Sequence, residues 1–476
     1  MSIEARGKSP PAPANTDAGR FWTVERVADA LGSHAVTPFP RGPHPLGRVW
    51  SDTRTIQRGD IFVALSGEKF DAHEFLKDAV KSGAGAVVVS KIEATKGLGV
   101  PVYHVRDTRA ALGALGRYRR RAWNGPVVGV VGTNGKTSTK ELIRAALDSR
   151  LEVHATHLNL NNLVGVPQTL LAVPDHADIA VVEMGTNHPG EIAALRAIAE
   201  PNIVVVTSIA EEHLEGLGDL AGVMREEMAG VEDAVAIVPA SQPEVAAEAK
   251  KAGAKRVVTA GLDSGDLRPT RWSLDAEGRG VLVVDGVDVR VPLRGAHNLR
   301  NAMLAIAVAR EVGVSIEDVA RGIAQMTAPP MRSNIEQLGR ALLINDAYNS
   351  NPGSARAALE LLLHAGGPDA AKRQRVAVVG SMLELGPSTP RLHDDLARDV
   401  LASNVDVIAG VGEFAAALER VGASRDRIVR ADDADALWPQ LASRLAPDAI
   451  ILLKGSRGVR LERLVPHLTR WAQEKT

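Results

Sequence analysis

The chain reads as an α/β protein of three domains with largely parallel sheets, and three observations carry that reading. Alanine-rich stretches with helical spacing alternate with short Val/Ile runs along most of the length, the pattern of helices packed on parallel sheets. At 476 residues the chain exceeds what one hydrophobic core usually organises, so two or three domains are expected. A glycine-bounded turn, Gly132-Thr133-Asn134-Gly135-Lys136-Thr137, lies between an apolar run at 126–131 and a helical pattern, the layout of a phosphate cradle.

Residues 1–20 are rich in Pro, Ala and polar side chains and lack the apolar core of a signal peptide, so a disordered tail is expected there. The first block, 21–122, holds strands at 60–65 and 84–89 with a helix at 74–82 between them. Its arginine cluster, Arg117, Arg119, Arg120 and Arg121, reads as a helix C-terminus favoured by the dipole. The second block, 123–328, opens with the strand at 126–131 and continues with strands at 179–183, 203–206 and 234–238. A β-rich insertion follows, in which 280–284 and 287–291 flank Asp285-Gly286, a hairpin turn signal. A helix then begins near His297. Ala328-Pro329-Pro330 breaks the helical pattern, so the third block is 329–476, with strands at 342–344, 376–379, 405–409 and 450–453.

Lys plus Arg (56) nearly balances Asp plus Glu (57), which argues against a broad nucleic-acid-binding surface. Cysteine is absent; disulfides, thiolate metal sites and cysteine nucleophiles are excluded, and a reducing compartment is permitted. No window reaches the apolar length of a membrane-spanning helix. A cytoplasmic protein, without membrane insertion or nucleic-acid partners and monomeric, is expected.

The phosphate-loop turn sits at a helix N-terminus, because Leu142, Ile143, Ala146 and Leu147 recur at helical spacing after it. Unpaired N–H groups and the helix dipole attract an anion there. Gly132 and Gly135 permit close backbone approach, Lys136 offsets phosphate charge, and the Thr137 hydroxyl reaches a magnesium ion. The common P-loop carries a glycine five residues before the second one; Val130 stands there, so this is a compact variant. The cation needs ligands at neighbouring strand ends. Glu183 ends the run 179–182, and His213 follows the run 203–206. Taken alone, either is more often an ordinary loop or structural residue, and it is the phosphate loop that raises the odds.

Four motifs stand together: the loop itself, Glu183-Met184-Gly185, His213-Leu214-Glu215-Gly216, and Gly295-Ala296-His297-Asn298-Leu299-Arg300-Asn301-Ala302. They resemble the Mur ligase family, the ATP-dependent amide ligases of bacterial cell-wall precursor synthesis, and the resemblance spans nearly the whole chain. The segments at 159–167, 185–192, 348–352, 382–386 and 454–457 are similar to the branch that adds D-alanyl-D-alanine to UDP-N-acetylmuramoyl-tripeptide. The Asp-Asn-Pro-Arg motif of the branch that adds the third amino acid is absent. The resemblance implies an N-terminal UDP-binding α/β domain, a central P-loop ATPase-like parallel sheet and a C-terminal Rossmann-like α/β domain. It also implies a sequence of steps. ATP phosphorylates the tripeptide carboxylate, and the dipeptide amine attacks the acyl phosphate to give the UDP-linked pentapeptide.

Site residues follow from the same resemblance. Gly132, Thr133, Asn134, Gly135, Lys136, Thr137 and Ser138 cradle the ATP phosphates, Thr137 and Glu183 hold Mg2+, and His213 belongs to a second magnesium site. Asn298 and Asn301 match positions that contact the nucleotide base, with helix capping as the plainer role of Asn298. Arg332 and Asp346 match positions that reach the nucleotide when the domains close, with Arg332 at the hinge. Ser51, Asp52 and Arg54 match contacts to uridine diphosphate, while Ala72 replaces a glycine common nearby. Asn162, Tyr348, Asn349, Lys454, Ser456 and Arg457 match the walls of the tripeptide and dipeptide sites, with Lys454 or Arg457 pairing a substrate carboxylate. Asn345 and Ser381 stand where relatives carry aspartates.

One departure touches the chemistry. Relatives place a carbamylated lysine in the helix after His-Leu-Glu-Gly, and without gaps that position is Glu227. Glu227 is expected to supply the same negative charge to the second magnesium, completing a catalytic set with Lys136 and His213; the plainer alternative is a solvated helix carboxylate, with neighbouring Glu226 as the ligand or no substitute at all. Two other readings remain open: another amide ligase of the superfamily, and a nucleotide-driven binding protein that opens and closes without ligation.

Overall fold

Short Val/Ile runs form buried parallel strands throughout the computed structural model, which describes residues 21–67, 70–275, 277–366, 372–424 and 426–475. The expected tail at 1–20 lies outside the described residues. The first sheet is parallel in the order β1 (Val49–Trp50), β2 (Ile61–Val63), β3 (Ala86–Val89), β4 (Val102–His104). Every residue of β2 and β3 is buried, as a parallel sheet covered on both faces requires.

The chain leaves this sheet through α1 (Thr108–Trp123), capped at its start by the Asp107 carboxylate on the N–H groups of Arg109 and Ala110. The arginines near its end do more than complement the dipole. Arg119 donates to Val173 O at 2.6 Å, and Arg120 donates to Ala199 O and Glu200 O at 2.9 and 3.0 Å. Arg117 and Arg121 both pair with Glu200. The cluster therefore clamps the first block to the second. Arg120→Ala strands two carbonyls and is expected to destabilise the protein by about 1–3 kcal/mol, seen as a lower melting temperature. An unchanged melting temperature would mean the clamp is idle.

The second sheet is built from β5 (Val127–Val131), β6 (Val153–Ala155), β7 (Ile179–Glu183), β8 (Ile203–Val206), β9 (Val235–Pro239) and β10 (Arg256–Ala260). All are parallel, in the order β10-β9-β8-β5-β7-β6. From β5 the chain runs through α2 (Lys136–Asp148) out to β6, returns to β7 beside β5, and then crosses to β8 on the other side. That reversal makes the carboxyl end of β5 the switch point, where open α/β sheets bind ligands. Helices α3 (Gly165–Leu171), α4 (Glu191–Ala199) and α5 (Leu220–Met228) connect these strands.

The β-rich insertion is an antiparallel sheet of β11 (Arg271–Leu274), β12 (Arg279–Val284) and β13 (Val287–Arg294). Asp285 and Gly286 turn its hairpin with φ of 51° and 83°, the left-handed pair that an Asp-Gly turn provides. Next, α6 (Ala296–Glu311) packs its buried Ala, Leu and Met residues against the core shared with α2.

The third sheet contains β14 (Asn334–Leu338), β15 (Ala341–Asp346), β16 (Arg375–Val379), β17 (Val407–Val411), β18 (Ile428–Ala431) and β19 (Ile450–Lys454), with α7 (Pro352–His364) after β15. Its order is β14-β15-β19-β16-β17-β18, parallel except for the antiparallel edge strand β14. Asp346 and Lys454 are register partners at the ends of β15 and β19, facing the cleft described below. Among the described residues no helix is long and apolar enough to cross a membrane.

Candidate active site

The loop after β5 is shaped by its two glycines. Gly132 has φ +113°, and a Cβ there would lie 2.6 Å from Thr207 Oγ1 and 2.9 Å from Ser208 O. The loop is pressed against the chain leaving β8, and the Thr133 N–H donates to Ser208 O at 2.8 Å. Gly135 has φ +85° and begins α2; a Cβ there would meet the Asn301 amide at 2.8 Å. Val130 is a fully buried residue of β5, so the strand continues where a longer loop would have its first glycine. Lys136 folds back over this turn, its ammonium donating to Gly132 O and, at 3.1 Å, to Thr133 O. Thr137 and Ser138 occupy the first turn of α2 and line the same cleft.

Glu183, at the end of β7, is 2% exposed. Its Oε1 accepts from the Thr137 hydroxyl at 3.2 Å and from Asn161 Nδ2 at 3.0 Å. Its Oε2 is buried without a hydrogen-bond partner. An orphaned carboxylate oxygen beside a hydroxyl of the phosphate loop suits Mg2+, which takes one or two carboxylates together with phosphate oxygens and water. Thr137 and Glu183 therefore fit the ion. Asn161, which was not singled out from the sequence, orients Glu183. Its neighbour Asn162 accepts the N–H groups of Val164 and Gly165 in the turn that leads into α3, and also lines the cleft.

The expected second metal site is not assembled. His213 lies on the cleft wall, but its Nδ1 is 2.5 Å from Glu384 Oε2 of the third block, and its Nε2 is 3.9 Å from Glu212 Oε2. Glu227 is absent from the cleft lining; α5 buries it behind the loop, where Oε2 accepts the Gly132 N–H at 2.7 Å. The amide of the loop captures the carboxylate that the sequence assigned to a metal. Glu226 is engaged as well, by the N–H groups of Gly190 and Ile192 and by the Thr186 hydroxyl. Among the described residues no group of three or more His, Asp or Glu side chains could hold an ion.

Burial raises the Glu227 carboxyl to about 7, against the pull of Lys136 and of the Gly132 N–H, with Glu212 and Glu226 adding to the rise. A carboxyl whose folded value exceeds its unfolded one stabilises the fold at low pH and loses that contribution as pH rises. Relative to Glu227→Gln, the parent is therefore expected to lose roughly 3 kcal/mol between about pH 4.5 and pH 7. Parallel pH series of thermal unfolding check this; curves with a constant separation would contradict it.

The loop opens into a cleft of about 680 Å³ between the second and third sheets. Across it, Asn351 Nδ2 donates to Asn134 Oδ1 at 2.7 Å, and Asn349 Nδ2 donates to Glu212 at 3.2 Å. Arg332 stacks its guanidinium 4.1 Å over the Tyr348 ring and sits between Met331 and Ser333, both left-handed with φ of 57° and 53°. Asn298 and Asn301 also line the cleft, joined by a 3.2 Å hydrogen bond; Asn298 donates to Arg294 O and forms no helix cap. Burial holds the neighbouring His297 imidazole below its ordinary value, which favours the neutral ring.

Several expected substrate residues have other partners. Lys454 lines the cleft, yet its ammonium pairs with Asp346 and donates to Asn349 O, both at 2.7 Å, so it is not free for a substrate carboxylate. Asp346 in turn accepts the Ser333 N–H at 2.7 Å, bracing the hinge segment. Ser456 and Arg457 lie off the cleft lining: Ser456 accepts the Leu383 N–H, and the exposed Arg457 pairs with Glu462. In the first block, Ser51 accepts from Gln168 of the second block at 3.0 Å, and exposed Arg54 pairs with Asp52 at 2.7 Å. These three also stand apart from the cleft. Ala72 begins a 3-10 turn capped by Asp71 and needs no glycine conformation. Ser381, in place of an aspartate, accepts the Glu413 N–H at the start of a helix.

Residues 130–309 match the family model of the Mur ligase middle domain, and residues 331–457 match that of the Mur ligase glutamate ligase domain. The chain belongs to the Mur ligase family. Among its relatives, the UDP-N-acetylmuramoyl-tripeptide–D-alanyl-D-alanine ligase of Escherichia coli is 35% identical over 88% of this chain and 93% of its own length. The ligase of the same name from Bacillus subtilis is 32% identical over 94% and 98%. Among solved structures, a MurF crystal structure from Acinetobacter baumannii matches with a TM-score of 0.85 and 32% identity, covering 94% of this chain and 99% of the other. MurF from Thermotoga maritima, in complex with ADP, matches with a TM-score of 0.78 and 26% identity over 90% and 98%. The Mur ligase cleft described above thus joins the two matched regions.

Proposed function

We propose that this Mur ligase joins D-alanyl-D-alanine to UDP-N-acetylmuramoyl-tripeptide as ATP is converted to ADP and phosphate. The observation that carries the reading is that Lys136 and the orphaned Glu183 oxygen line the same cleft, whose far wall is the third block. The names of full-length relatives supply the substrates. Residues 123–328 act as the ATP domain, 329–476 as the ligase domain, and 21–122 receives the UDP end through Ser51, Asp52 and Arg54.

The chemistry requires two anions, ATP and a carboxylate, to be brought into line, so charge neutralisation matters more than covalent help. Lys136 exchanges the carbonyls of Gly132 and Thr133 for the transferring phosphoryl group. Thr137 and Glu183 would hold Mg2+, which would supply further neutralisation of phosphate charge. A carboxylate oxygen of the tripeptide attacks the γ-phosphorus and ADP leaves. The dipeptide amine then attacks the acyl carbon, loses a proton, and phosphate departs with the bridging oxygen. Water must be kept out meanwhile; the contacts of Asn351 with Asn134 and of Glu384 with His213 join the two walls of the cleft. The protein is proposed to work as a cytoplasmic monomer.

Phosphate release measured with each substrate omitted in turn tests the reading. Release that requires the UDP-tripeptide and the dipeptide together is expected, with a product heavier by one dipeptide less water. Slow release independent of both would point instead to a nucleotide-driven switch.

A further inference from the structure

Gly132 is held from two sides. Its carbonyl accepts from Lys136, the cation that the nucleotide would draw away, and its N–H is directed at the Glu227 carboxylate beneath the loop. The next two amides, of Thr133 and Asn134, go to Ser208 O and Ser208 Oγ. Glu227 is therefore the side chain that fixes the first residue of the loop. The adjacent Glu226 does the same for the neighbouring turn, gathering Gly190, Ile192 and Thr186. Two consecutive carboxylates of α5 thus brace two segments that flank the cleft.

We propose that Glu227 is a positioning residue for phosphoryl transfer: it anchors the Gly132 amide, so that the loop keeps its shape when Lys136 leaves the Gly132 carbonyl for a nucleotide phosphate. The inference rests on reading the loop as the ATP site, and it assigns Glu227 a hydrogen-bond acceptor's role instead of a metal ligand's. Geometry favours this. The carboxylate is 2.7 Å from the amide and buried off the cleft, whereas Glu183 presents an unpartnered oxygen beside Thr137. Gly132 also has little freedom to compensate, since its left-handed φ leaves it tight against Thr207 and Ser208. Losing the anchor lets the loop shift under the phosphates, and small misplacements near a reacting group are costly to rate.

Glu227→Gln and Glu227→Met separate the possible roles. Gln retains a carbonyl oxygen for the Gly132 N–H without the charge; Met fills similar space with no comparable acceptor. For Gln, a KM for ATP within about threefold of the parent and an unchanged magnesium dependence are expected. For Met, the KM for ATP is expected to rise about tenfold, the loss of one hydrogen bond's free energy, with a smaller change in the KM for the dipeptide. Thermal unfolding confirms that each variant is folded, and ADP titration of the parent checks the loop reading separately. A parent that fails to bind ADP overturns that reading and the inference with it. A parent that binds ADP, with Gln as impaired as Met or requiring more magnesium, overturns the anchor alone. Met behaving like the parent does so too. If Met does not fold, Gln still decides: parental ATP and magnesium dependence support the anchor, and their loss overturns it.

Discussion

Lys136→Ala is expected to lower kcat/KM by about a thousandfold, the scale of removing one preorganised charge-stabilising donor. The ammonium sits over the loop on Gly132 O and Thr133 O, carbonyls that it exchanges for a phosphate within the same turn. In a cleft with restricted water the same charge acts more strongly than it would in bulk solvent. Lys136→Arg is not expected to restore activity. The turn between Gly132 and Gly135 admits a compact point charge, and the planar guanidinium fork is larger and differently directed. Steady-state ligation kinetics, with thermal unfolding to confirm an intact fold, check both variants; an alanine variant within tenfold of the parent would remove Lys136 from the mechanism.

Glu183→Gln is expected to separate stability from activity. The amide retains an acceptor for the Thr137 hydroxyl and Asn161, while the buried oxygen that now lacks a partner loses its charge. Removing a buried charge that has no hydrogen-bond partner in the protein is expected to leave the melting temperature at or above that of the parent. Activity is expected to fall by about 10²- to 10³-fold because the ion loses its anionic ligand, and more magnesium is required for what remains. Such a trade between stability and function is usual where a site keeps a group poised for a ligand. A Gln variant with the parent's rate and magnesium dependence would place the ion elsewhere.

The fold was legible because its strands are short, apolar and buried on both faces. The strand expected at 126–131 is β5, and the Asp285-Gly286 turn forms the expected hairpin. Other limits shifted: the strand expected at 405–409 is 407–411, and β14, with exposed residues and little apolar pattern, gave no signal. At the site, the loop and Glu183 were legible because local sequence determines a strand end and a helix start. What eluded the sequence depends on partners distant along the chain. Lys454 matched a substrate-pairing position but meets Asp346 across two strands, and Glu227 meets Gly132 across 95 positions. Nor does spacing reveal that Asn161, not Asn162, turns toward Glu183.

The central claim is that this cleft transfers the γ-phosphoryl group of ATP to a peptide carboxylate, which an amine then displaces. The most direct measurement uses UDP-tripeptide labelled with ¹⁸O in the reacting carboxylate, followed by mass analysis of the released phosphate. The account predicts one labelled oxygen in each phosphate formed with the pentapeptide product. Unlabelled phosphate accompanying the same product would contradict it.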